Sequence, residues 1–141
     1  MGLEEYLIDL ITQDLDPPER ALEYVKAARE LLDQAREELE KGDVRQAAEK
    51  VWDSAALAVK AYAAWREGKR LASHRDLWEY TLVMRKELGK WVSSAWNAGN
   101  SMHVCFYEGW CSKEHVEDAI GEVERLVRAV EEKIERNSAR Q

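Results

Sequence analysis

Apolar residues return every three or four positions through five stretches of the chain, and each stretch opens at a residue suited to starting a helix. Leu3, Leu7, Leu10 and Ile11 share one face between Leu3 and Asp14, which predicts a short docking helix. Asp16-Pro17-Pro18-Glu19 then supplies a cap carboxylate, a proline at the first helical position and an acid in the first turn. Ala21, Val25, Ala28, Leu32, Ala35 and Leu39 continue from there to Gly42, which suits the turn after a helix end. Asp43 with Gln46 restarts the chain, and Ala48, Val51, Ala55, Ala58, Tyr62 and Trp65 form the next seam. Trp52, Ala56, Val59 and Ala63 add a second apolar face, which places this segment at a bundle centre or a subunit contact. Ser73 and Asp76 open a fourth helix running through Leu77, Thr81, Met84, Leu88, Trp91 and Ala95 to Ala98. Ser112 opens a fifth, with its stripe from Val116 to Ile134.

No alternation of period two competes, so the expected fold is all-α. Short connections predict an antiparallel, up-and-down four-helix bundle with an additional short N-terminal helix. A chain of 141 residues suits one domain over 1–141, with a core from about 17 to 136 and fraying at 137–141. Alternation of the helices puts the Gly42 turn at the same end as residues 100–112 and REGKRLASHR at the other.

Charge narrows the functional classes. A net charge of −7 opposes indiscriminate binding to a phosphate backbone and requires any nucleic-acid contact to be a local basic patch. No apolar run is long enough to cross a bilayer, and Glu4, Glu5 and Asp9 occupy positions where a signal peptide carries positive charge, so the expected location is the cytoplasm, with no membrane partner. Two cysteines are too few for a disulfide framework, although heat-loving archaea and bacteria do keep intracellular disulfides; abundant Glu and Arg with only three Asn lean towards such a source.

Candidate chemistry concentrates in NAGNSMHVCFYEG, residues 97–109. On a helix Trp96, Asn100, His103 and Tyr107 fall within about 60° of one another, while Asn97 lies about 120° from His103. An imidazole that exchanges protons near neutral pH, beside amide and phenol groups, suits RNA cleavage or ligand binding. The same spacing also suits core aromatics at 96 and 107 with asparagines capping a helix end near Gly99. His103, Cys105, Cys111 and His115 lack the spacing of a zinc knuckle, so no metal and no cofactor is expected, and Cys105 reads as a buried apolar residue. Lys60 reads as a surface lysine whose stem lies along the apolar face with its ammonium in water. His74, beside Arg66, Lys69, Arg70 and Arg75, suits an anion contact, but roughly 40 Å of unbroken helix would separate it from His103.

GDVRQAAEKVWDSAALAVKAYAAWREGK, SHRDLWEY and AWNAGNSMHVCFYEGW, in that order within residues 42 to about 135, resemble the HEPN superfamily of helical bundles, and within it the archaeal PaREP branch. The resemblance implies a homodimer and, in many relatives, metal-independent RNA cleavage as a toxin or defence factor. It also implies an arginine separated from the catalytic histidine by four to six intervening residues. His103 matches the histidine, but Trp96, Asn97 and Ala98 stand where the arginine belongs. A guanidinium there would hold the scissile phosphate and offset developing charge, and an amide brings none. Lys41, Arg45 and Lys113 are the cations expected at that end.

The leading expectation is therefore a homodimer that binds RNA, a nucleotide or a cognate partner protein through Trp96, Asn97, Asn100, Tyr107 and Arg45, without efficient catalysis. The alternatives are a residual endoribonuclease using His103 as its catalytic group and a helical interaction scaffold. Six tryptophans, many for a thin bundle, give a separate reason to expect a subunit contact.

Overall fold

The computed structural model describes residues 2–139, and side chains through residue 136. Six helices occur and, among the described residues, no strand: α1 (Leu3–Ile11), α2 (Pro17–Glu40), α3 (Val44–Glu67), α4 (His74–Leu88), α5 (Trp91–Glu108) and α6 (Lys113–Ala139). Helix α6 continues past residue 136, where fraying was expected to begin; residues 140 and 141 lie outside the described residues.

Helix α3 organises the packing. Every residue from Val51 to Ala64 is buried, because its alanine-rich surface lets neighbours approach from all sides. Antiparallel pairing of α2 and α3 is fixed by Ser54, whose hydroxyl donates to Ala28 O at 2.7 Å, and by Lys50, which donates to Gln34 at 2.9 Å. Arg29 reaches Glu131 while Arg36 reaches Glu124, so α2 and α6 also run in opposite directions. The Gly42 turn and the end of α5 meet as expected, since Arg45 donates to Phe106 O.

The predicted fourth helix is two helices, not one. Gly89 has φ of 122° and ψ of 166°, a conformation that L side chains rarely adopt, and the chain reverses between α4 and α5. The preceding linker also departs from expectation. Gly68 sits at the far end of α3, where its carbonyl accepts from Arg20, but residues 70–73 run back along the bundle and start α4 beside Trp52. Helix α4 then follows α3 in parallel, from Trp52–His74 to Arg66–Glu87, and α5 returns antiparallel from Trp52–Trp96 to Arg45–Phe106.

Helix α1 is inverted. Leu3, Leu7, Leu10 and Ile11 are 71%, 43%, 48% and 69% exposed, whereas Glu5 is 2% exposed. The reason is Lys60, which is not a surface lysine: it is 2% exposed and pairs with Glu5 at 2.8 Å and Asp9 at 2.7 Å. Removing the partner of a buried charge costs roughly 3–5 kcal/mol, and Glu5 and Asp9 are the two carboxylates that reach this ammonium. The acidic face therefore turns inward.

Two helical glycines separate packing from propensity. A Cβ on Gly99 would lie 2.7 Å from Ala55 Cβ, at the closest approach of α5 to α3, whereas a Cβ on Gly121 would meet nothing within 4 Å. Gly121→Ala should stabilise by up to about 1 kcal/mol. Gly99→Ala should destabilise by about 1–3 kcal/mol through overpacking. Urea unfolding of both variants checks the opposite signs.

Candidate functional site

Trp52, fully buried on α3, forms the floor of a cluster assembled from three helices. His103 of α5 stacks on it at 4.8 Å between ring centroids, and His74 of α4 meets its edge at 5.0 Å. The two imidazoles are consequently 5.3 Å apart. The expected separation of His74 and His103 is overturned because the chain reverses at Gly89, which runs α5 back alongside α4. Tyr107, one turn beyond His103, lies edge-on to it at 5.1 Å and is 65% exposed.

The other expected site residues divide. Trp96 is buried and packs against Trp52 at 5.2 Å and Trp78 at 5.6 Å, so it supports the cluster from behind. Asn97 is exposed and its carbonyl accepts from Ser101, while Asn100 is half-buried. Arg45 donates to Phe106 O at 3.0 and 2.6 Å and to Tyr107 O at 3.3 Å. Its guanidinium thus caps the exposed carbonyls of α5, as a cation near a helix C-terminus favours. Lys113 pairs with Glu117 at 3.8 Å.

Cys105 and Cys111 are not free thiols. They are joined as a disulfide across the α5–α6 turn, with Cα atoms 5.7 Å apart. Their sulfurs are consumed there, and His115 Nδ1 instead accepts from Ser112 N–H at 2.9 Å at the start of α6. Among the described residues, no three His, Cys, Asp or Glu side chains are grouped to hold a metal ion.

Carboxyls that the sequence reading passed over lie beneath the imidazoles. Glu49 and Asp53 sit one turn apart on α3, and Glu49 Oε2 is 3.8 Å from His103 Nδ1. Glu49 Oε2, His103 Nδ1 and both oxygens of the fully buried Asp53 have no hydrogen-bond partner among the described residues. Burial raises Glu49 to about 7, and burial with the nearby charges of Glu49 and Glu5 raises Asp53 to about 8. Burial lowers His103, and the neighbouring His74 adds to that effect. The pair across 3.8 Å therefore places a proton-holding carboxyl opposite a proton-accepting imidazole near neutral pH. Asp53 was discoverable in VWDSAALAV, because an acid inside the most apolar helix is either paired or perturbed.

For both carboxyls the folded state holds its proton more tightly than the unfolded chain. Their contribution is most favourable below the ordinary carboxylate range, and stability falls as pH rises from about 4 towards 8. Asp53→Asn should flatten this decline and stabilise the protein at pH 8 by on the order of 1–3 kcal/mol. Chemical denaturation at pH 5 and pH 8 measures the change in slope.

The chain is similar to a protein of Sulfolobus solfataricus whose crystal structure has 23% sequence identity and a TM-score of 0.63, covering 74% of this chain and 92% of that one. That likeness concerns the fold alone. No curated protein matches the chain. The model of the archaeal PaREP1/PaREP8 family matches residues 23–127, a span that contains Glu49, Trp52, Asp53, Lys60, His74, His103 and Tyr107 but excludes α1. The chain belongs to the archaeal PaREP1/PaREP8 family.

Proposed function

We propose that this protein is a cytoplasmic, HEPN-like homodimer that binds RNA or a nucleotide at the His74–His103–Tyr107 face and lacks efficient nuclease activity. The observation that carries the reading is the meeting of two imidazoles, 5.3 Å apart, beside an exposed phenol ring. Tyr107 offers a base a stacking surface, and the imidazoles offer hydrogen bonds to phosphate or base edges. Arg45, one of the three cations expected near His103, is spent on backbone carbonyls, and Lys113 pairs with Glu117, which argues against efficient stabilisation of a phosphorane-like transition state. A cognate partner protein at the same face is the other ligand class within this reading.

In architecture, we read α2, α3, α5 and α6 as the up-and-down four-helix bundle, with α1 and α4 as additions. The antiparallel contacts of α2 with α3 and α6, and of α3 with α5, support this assignment. Trp78 and Leu82, 40% and 56% exposed on α4, support a subunit contact. No helix of the described residues is long and apolar enough to cross a membrane.

A second reading, residual RNA cleavage, rests on the Glu49–His103 approach. In it, His103 takes the proton of the ribose 2′-hydroxyl as that oxygen attacks the adjacent phosphorus, and His74 protonates the departing 5′-oxygen, leaving a cyclic phosphate. Incubation with RNA in chelator separates the readings, since binding without cleavage is expected and cleavage lost in His103→Ala would favour the second.

Direct binding checks the main reading. Tyr107→Ala should weaken binding of a short single-stranded RNA about tenfold, corresponding to loss of one base stack. Equal affinity of the variant and the parent would contradict binding at this face.

A further inference from the structure

The buried Lys60 is paired with Glu5 and Asp9, and it also borders open space. Together with Ser73, His74 and Leu77 it lines a cavity of about 290 Å³, into which Glu5 also projects. In the capping box of α4, Ser73 accepts from the N–H of Asp76 and the Asp76 carboxylate accepts from the N–H groups of Ala72 and Ser73, which leaves the N–H groups of His74 and Arg75 outside the box at the start of a 15-residue helix. An ammonium, an imidazole and a helix N-terminus thus converge on one space, a combination suited to an anion with several oxygens. Glu5 of α1 lines the same space and holds the Lys60 ammonium at 2.8 Å.

Helix α1 is held by charge more than by apolar contact. Its outward leucines and isoleucine are exposed, whereas Glu5 and Asp9 grip Lys60. At the other end of this segment Thr12 O accepts from Arg70 at 3.2 Å, so a second cation is occupied in the same manner. Lys60, Arg70, His74 and His103 all lie within the part of the chain shared with the family, and α1 lies outside it. Glu5 also lies close enough to Glu49 and Asp53 to add to the upward shift of both.

We propose that Lys60, His74 and the first turn of α4 form a phosphate-binding site, and that Glu5 and Asp9 of α1 occupy it as built-in anions until a phosphate-bearing ligand displaces them. This rests on the reading that the His74–His103 face takes RNA or a nucleotide, and it names the group of that ligand that Lys60 receives. A ligand that must first displace a resident carboxylate binds more weakly than the open site would allow, by the fraction of molecules in which the site is open.

The test uses the full chain with Glu5→Gln/Asp9→Asn, which keeps side-chain shape and removes both charges. Inorganic phosphate and a short single-stranded RNA should each bind about tenfold more tightly than to the parent, with an unphosphorylated nucleoside unaffected. Adding Lys60→Met should abolish the gain. A gain for inorganic phosphate without any RNA binding would uphold the site and refute the RNA reading. RNA binding that ignores both the paired substitution and Lys60→Met would uphold the RNA reading and overturn this proposal. Should the variant not fold, hydrogen exchange in the parent decides: amides of residues 3–11 should lose protection when RNA saturates the protein, and unchanged protection would refute displacement.

Discussion

An ammonium group set into the most buried helix needs counter-charge, and much of this structure follows from where that charge comes from. Lys60 finds it in Glu5 and Asp9, and this demand turns the acidic side of α1 towards the core while its apolar side faces outward. Burial alone would have oriented the helix the other way. An unpaired charge in a low-dielectric interior is costly, and the observed orientation gives Lys60 both of its carboxylates while leaving four apolar side chains in solvent.

The same buried helix also creates the candidate site. Trp52 is held from every side, and its faces become the surface on which imidazoles from α4 and α5 are positioned. Beneath them Glu49 and Asp53 cannot all ionise in the space available, so protons are retained where an ordinary carboxylate would have lost them. Placement of a proton-rich carboxyl opposite a weakened imidazole is thus a consequence of packing. Cys105 and Cys111 close the nearby α5–α6 turn, and Arg45 caps the helix that carries His103.

Much of the fold was legible because helix period, caps and turns are local. The Asp43 cap to Gln46 and the Ser73–Asp76 capping box form as their spacing implies. Gly89 carried a readable break, but the apolar seam running across it from Leu88 to Trp91 suggested one continuous helix. That single misreading separated His74 from His103 by a length of helix the molecule does not possess. Trp96 and His103 both pack on Trp52, whereas Asn97, also expected at the site, is exposed. The polarity of α1 and the burial of Lys60 were not readable, because amphipathic spacing reports which residues share a face and not which face another element requires. Pairings across 51 residues, such as Lys60 with Asp9, have no local signature.

The dependence of α1 on Lys60 can be measured by a double-mutant cycle of unfolding free energies for Lys60→Met and Glu5→Gln. Strong coupling of about 1–3 kcal/mol is expected, with the double variant less destabilised than the sum of the single ones. Simple additivity would show that the ammonium does not hold the helix, and would contradict the account.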